Sequence, residues 1–192
     1  MAVVTGKRTA TVVALSAAVL LTGCSTDDPP ADAPAMVTAP SSSAASAAPA
    51  AVSFGGVVLD RATDLTAKPK VSAKSAAKPT ALRVKDVVTG TGTAATPKSV
   101  VTVQYVGLRY ADGKQFDASW DHGGPTSLSL RQFVPGFTQG IGGAPGTEPM
   151  KVGGRRIMIL PAALGYGRTG SQDGSIPPNA PIVFVVDLIA VK

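Results

Sequence analysis

The sequence predicts an α+β fold dominated by β-structure: an antiparallel sheet of about five or six strands wrapped on one short α-helix. Three observations carry this expectation. Short runs rich in Val, Ile and Leu recur through the second half of the chain, some alternating with polar residues and some continuously apolar. Glycine or proline punctuates nearly every junction between them. A single short stretch, Phe133 to Ile141, is left for a helix.

The elements follow in order. Leu82 to Val87 alternates with period two, as a half-buried strand does, and Thr89-Gly90-Thr91-Gly92 is a turn. Val100 to Leu108 (VVTVQYVGL) is a strong β run. Ala111-Asp112-Gly113-Lys114 is a hairpin turn with Asp-Gly at its centre. Gln115-Phe116-Asp117 resumes a strand, and Ser127 to Leu130 alternates again. Arg156 to Leu160 (RIMIL) and Ile182 to Val191 (IVFVVDLIAV) close the domain, and their density of apolar residues predicts central positions.

The residues ahead of this domain read differently. Lys7 and Arg8 precede an apolar run, Thr9 to Leu21, of about the length of a signal h-region and too short for a comfortable membrane span. Leu21-Thr22-Gly23-Cys24 resembles the lipobox of bacterial lipoproteins, which implies a signal peptide over residues 1–23 and a lipid on Cys24. An ordinary cleaved signal or a simple membrane anchor is the alternative. Residues 24–51 are Ala, Ser, Pro, Asp and Thr almost throughout, with no periodic apolar face to offset the entropy of ordering them; they read as a flexible tether. Residues 52–81 contain one candidate strand, Val52 to Leu59, then an Ala-, Lys- and Pro-rich stretch. The sequence leaves open whether they pack on the domain, which is taken to span residues 82–192.

Composition excludes several function classes. The 192 residues carry a net charge of +6, but no basic patch interleaved with aromatics, so nucleic acid is not an expected partner. With one cysteine, neither an internal disulfide nor a cysteine-based metal site is available. With one histidine, His122, serine–histidine or zinc chemistry would run through that residue alone. No metal and no cofactor is expected.

Several blocks, in order, are similar to the FKBP family of peptidyl-prolyl isomerases. Val103-Gln104-Tyr105-Val106-Gly107 resembles its strand with an inward tyrosine, and Asp112 to Ser119 (DGKQFDAS) its DGK-x-FDSS block. Phe133-Val134-Pro135-Gly136-Phe137 stands where the family has V-I-x-G-W, and Met150 to Arg156 resembles the M-x-x-G-x-[RK] turn. Leu164-Gly165-Tyr166-Gly167, Ile176-Pro177-Pro178-Asn179-Ala180 and Ile182 to Leu188 complete the set. Each block alone is weak; the ordered series, covering about the last three-fifths of the chain, is specific.

The resemblance implies catalysis of cis/trans interconversion at X-Pro bonds in exported or surface proteins. Amide resonance sets a barrier of about 18–20 kcal/mol. The twisted transition state has lost that resonance, so a water-poor apolar pocket favours it over the planar amide, with no need of a nucleophile or metal. By resemblance, Tyr105, Asp117 and Tyr166 are the catalytic candidates: Tyr166 offers its hydroxyl to a substrate carbonyl, and Asp117 sits at the rim. Phe116, Phe133, Val134, Phe137, Ile176 and Phe184 line the pocket, with Phe137 as the floor beneath the proline ring. The expected partners are proline-containing polypeptides, macrolide inhibitors of the family's kind, and a membrane reached through the lipid anchor on its extracytoplasmic side. The chain is expected to act as a monomer.

Departures from the family pattern motivate an alternative. The floor is usually tryptophan; here it is Phe137, and the one tryptophan is Trp120. Thr126 replaces a frequent aromatic, and His122 stands where many members carry an arginine able to pair with the rim aspartate. Read only as structure, His122 is a loop residue before Gly123-Gly124. Ser171-Gln172-Asp173-Gly174 lengthens a loop that overhangs the pocket in relatives. The alternative is therefore a catalytically weak peptide-binding or chaperone module on the same fold.

Overall fold

A computed structural model describes residues 51–192. The signal segment 1–23, Cys24 and all but the last residue of the tether 24–51 lie outside the described residues.

The chain first forms three short strands, β1 (Val52–Phe54), β2 (Val57–Asp60) and β3 (Lys70–Ala73). They pair antiparallel in the order β1-β2-β3. Gly55 and Gly56 turn β1 into β2 with φ of +56° and +84°, a pair of positive values that side chains with a Cβ rarely adopt. The expected single strand Val52 to Leu59 is thus a hairpin broken at Gly55-Gly56.

The remaining strands are β4 (Arg83–Val88), β5 (Val100–Arg109), β6 (Gln115–Ala118), β7 (Thr126–Ser129), β8 (Arg155–Leu160) and β9 (Ile182–Val191). They form a six-stranded antiparallel sheet of order β4-β8-β9-β5-β6, with β7 also pairing β5. One edge of β5 pairs with β9 along almost its whole length. Its other edge is shared: Val100 to Val103 pairs with β7, and Val106 to Leu108 with β6. Between β6 and β7 the chain makes a 3-10 turn, Ser119–His122. There the Ser119 hydroxyl takes the place of a ladder partner, accepting from the Tyr105 amide at 2.9 Å.

Both faces of this sheet are covered. On one lies the helix α1 (Pro135–Gly142), which begins with proline at a position where no amide hydrogen is needed. Its glycines bring its backbone close to β8: a Cβ at Gly136 would lie 2.6 Å from Leu160 Cγ, and one at Gly140 would collide with Met158 Sδ. Phe137 and Ile141 of α1 are buried there with Val101, Val103, Met158, Leu160, Phe184, Val186 and Leu188. On the opposite face, Val57, Leu59, Ala62 and Ala73 are buried against Tyr110, Ile157, Ile159, Val183 and Val185. Successive residues of β8 and β9 therefore enter different cores, and this is why their sequences are continuously apolar rather than alternating.

Consecutive arginines mark the same division. The Arg155 guanidinium, fully buried, donates to both carboxylate oxygens of Asp187 at 2.5 and 2.6 Å, and to the carbonyls of Arg61 and Ala62 at 3.0 and 3.2 Å. Arg156 points the other way. It grips Asp86 at 2.5 and 2.8 Å and donates to the carbonyls of Gly140 and Glu148, fixing the end of α1 and the loop after it. Residues 52–73 are thus part of the packed body, an outcome the sequence left open.

Candidate active site

Six aromatic side chains from different elements meet at the helix-covered face of the sheet. β9 supplies Phe184. Phe137 from α1 meets it edge-on with centroids 5.1 Å apart, Phe116 from β6 at 5.6 Å, and Tyr105 from β5 at 6.2 Å. Tyr105 also meets Phe137 edge-on at 6.4 Å, and Tyr166, which follows the 3-10 turn Ala162–Leu164, meets Phe116 at 6.4 Å. Edge-to-face pairs of this kind fix ring orientation beyond simple burial. Phe133 lies nearly face-on to Phe137, at 5.1 Å and 31°. Val134 and Ile176 pack on the same cluster.

The sequence names Phe137 as a floor; in the structure its ring contacts Tyr105, Phe133 and Phe184 and does not line the open groove. It is only 1% exposed, whereas its neighbour Phe133 is 39% exposed. Phe184 and Ile176 are buried as well. The open space is beside these rings: a groove of about 550 Å³ bounded by Phe116, Tyr166 and Ile176 on one side and by Asp117, His122, Gln172 and Asp173 on the other.

Asp117 organises the rim. The Tyr105 hydroxyl donates to its Oδ2 at 2.6 Å, and His122 Nε2 donates to its Oδ1 at 2.9 Å. His122 is therefore a partner of Asp117 rather than a bystander in a loop. The 3-10 turn brings it back over a residue five positions earlier. Burial, then the hydrogen bond to Asp117, raise the Tyr105 pKa far above that of a free phenol. Burial also raises that of Tyr166, with the Asp117 and Asp173 carboxylates adding to the effect. Both phenols remain protonated donors at neutral pH.

The lengthened loop is ordered by its own polar groups. Asp173 Oδ1 accepts from Ser171 Oγ at 2.5 Å, from Ser175 Oγ at 2.9 Å and from the Ser175 amide at 3.1 Å. The Ser171 hydroxyl in turn accepts from the Ile176 amide at 2.9 Å. These bonds, with the Ser171 hydroxyl foremost, hold the Asp173 carboxyl below the usual carboxylate range. The resemblance places this loop over the pocket, and in the structure Gln172 and Asp173 line the groove. The legible signal was Ser171-x-Asp173-x-Ser175, a spacing at which an aspartate closes short local hydrogen bonds.

Among the described residues, one short α-helix packs on a six-stranded antiparallel sheet, and an aromatic cluster meets a tyrosine–aspartate pair, an arrangement that matches a known family. The model of the FKBP-type peptidyl-prolyl cis-trans isomerases matches residues 91–189. An FK506-binding protein of Streptomyces anulatus is 41% identical over 126 residues, covering 65% of this chain and 97% of that protein. FkpA of Escherichia coli, an FKBP-type peptidyl-prolyl cis-trans isomerase, is 37% identical over 113 residues, 59% of this chain but only 38% of FkpA. Among solved structures, AtFKBP13 superposes with a TM-score of 0.55 at 33% identity, over 60% of this chain and 96% of that one. The crystal structure of Escherichia coli FkpA gives 0.52 at 37% identity, over 59% and 49%. The chain belongs to the FKBP-type peptidyl-prolyl cis-trans isomerase family, and peptidyl-prolyl cis/trans isomerisation is its enzyme class.

Proposed function

We propose that this isomerase acts outside the cytoplasmic membrane, on X-Pro bonds of exported or surface proteins, while held to the membrane by a lipid on Cys24. The observation that carries the catalytic part is the meeting of an aromatic wall with two protonated phenols, Tyr105 and Tyr166, around the Asp117 rim.

Catalysis follows from differential binding. The planar X-Pro amide is the more dipolar state, and water solvates it well. Against Phe116, Phe184, Val134, Ile176 and the Phe133–Phe137 pair it loses that solvation, whereas the twisted amide loses less. Tyr166 donates to a carbonyl of the extended peptide and keeps the proline in register. Tyr105 holds Asp117 at the rim, where its charge biases the nitrogen side of the twisting bond. A macrolide carrying a proline-like ring would compete for the same surface. The chain acts as a monomer.

A second reading is a peptide-binding module with weak catalysis. It is favoured by the near-complete burial of Phe137, 1% exposed, which leaves little of that ring within reach of a peptide. Phe133→Ala separates the two. If the floor is used, removing the neighbouring ring lowers the KM for a short X-Pro peptide and raises kcat/KM. If Phe133 is only a wall that holds bound peptide, the same change weakens binding and turnover together. Export and anchoring are tested by metabolic labelling with a radioactive fatty acid. The chain takes up label and partitions with membranes, and Cys24→Ser abolishes both; labelling that survives Cys24→Ser rules out that anchor.

A further inference from the structure

Residues 52–73 precede the family match at residue 91, yet they reach the side of the sheet that presents the rim. β6, which carries Phe116 and Asp117, is four residues long and pairs with β5 alone. The N-terminal sheet touches the chain at both ends of β6. Before it, the turn at Gly113 lies so close to Ala73 that an added Cβ would stand 2.5 Å from the Ala73 carbonyl oxygen. After it, Val71 and Trp120 both pack on the same small buried cluster of Val106, Leu108 and Ala118. The Trp120 indole nitrogen is buried with no hydrogen-bond partner, so apolar packing alone retains the ring there. Next to it, Asp121 is held by both oxygens: Lys68 Nζ reaches Oδ1 at 2.6 Å and Gln115 Nε2 donates to Oδ2 at 2.8 Å. The following residue is His122, which holds Asp117.

We infer that the N-terminal three-stranded sheet is a positioning element of the active site, in which Lys68 and Val71 hold the Ser119–His122 turn so that His122 fixes the rim carboxylate of Asp117. The inference rests on the isomerase reading of Asp117 for its catalytic consequence, while its structural half stands on the contacts themselves. The segment that leads in from the proposed tether therefore also shapes the groove. Lys68 and Val71 touch no substrate. Lys68 acts through Asp121, and Val71 through the cluster of Val106, Leu108 and Ala118 on which Trp120 also packs.

The chain's single histidine and single tryptophan make the test direct. In the full chain, the His122 imidazole proton resonance is recorded at fixed pH, with Asp117→Asn as the reference for an uncoupled ring. Lys68→Met and the double variant Lys68→Met/Val71→Ala are expected to move that resonance toward the Asp117→Asn position. Trp120 emission shifts to the red in the double variant, and kcat/KM on a short X-Pro peptide falls about two- to fivefold, the range open to an exposed ion pair. Lys68→Arg restores both readouts. The inference is overturned if the His122 resonance stays in place in both variants, or if it moves while kcat/KM of an active protein does not. A change in melting temperature alone, with His122 unmoved, overturns it too. Absence of turnover in the unmodified chain contradicts the isomerase reading instead, and the His122 resonance still decides whether the sheet positions the rim.

Discussion

The two faces of the central sheet are made by the same strands and behave differently. The face under the N-terminal sheet is closed. Its contacts are mostly aliphatic, with Tyr110 among them, and all three guanidinium nitrogens of its buried Arg155 are engaged by Asp187 or by carbonyls of the N-terminal segment. The face under α1 is aliphatic in its interior but ends in aromatic rings, several of them only half-buried, next to a groove. The second face gives up closure at one end, and the half-exposed side chains Tyr105, Phe116, Phe133 and Tyr166 gather there. Residues that alternate along β8 and β9 serve stability on one side and chemistry on the other.

That contrast predicts a graded response to substitution. The two largest effects on stability are of similar size, and the first falls on the closed face. Arg155→Ala strands Asp187 in a buried site and frees two carbonyls, and it is expected to lower stability by about 3–5 kcal/mol. Urea unfolding measures this; a loss below about 1 kcal/mol would mean that water reaches the pair. Next comes the base of the aromatic cluster. Phe137→Ala removes the ring that Phe133, Phe184 and Tyr105 all touch, at about 3–5 kcal/mol in stability, and turnover falls at least tenfold where the protein remains folded. Smaller effects belong to the open end. Tyr166→Phe keeps the ring and removes one donor, with an expected two- to tenfold loss of kcat/KM, about the worth of one hydrogen bond, and little change in melting temperature. The smallest is a matter of pH. Because the folded pKa of Tyr105 is raised above its unfolded value near 10, its contribution to stability is complete below about pH 10 and is lost as pH rises toward the folded value. Tyr105→Phe should flatten the alkaline limb of a stability–pH curve.

The sequence made one face more legible than the other. Every strand of the large sheet and the position of α1 were readable from alternation, Asp-Gly and Gly-Pro punctuation, because each element carries its own local signal. The residues of the aromatic cluster were named only through the resemblance of their ordered motif blocks to the FKBP family. The N-terminal sheet was not, since strands of three and four residues have no periodicity of their own and acquire meaning only against Ile157, Ile159, Val183 and Val185. The clue lay in the partner strands: a run such as RIMIL is apolar at every position only if both faces are covered. The His122–Asp117 bond was equally hidden, because a 3-10 turn, not a strand register, brings residues five apart together. The Ser171–Gly174 loop was expected over the pocket by resemblance, but its internal order was not read, because it comes from hydrogen bonds between short polar side chains and nearby backbone.

The most direct measurement is prolyl isomerisation of a short X-Pro peptide, followed with the intact chain, with Phe137→Ala and with the gentler Phe137→Leu, each checked for folding by circular dichroism. Catalysis by the intact chain that drops at least tenfold in a folded Phe137 variant is the predicted result. Undiminished turnover in a folded Phe137 variant, or no acceleration by the well-folded intact chain, would contradict the assignment of this aromatic cluster as the catalytic pocket.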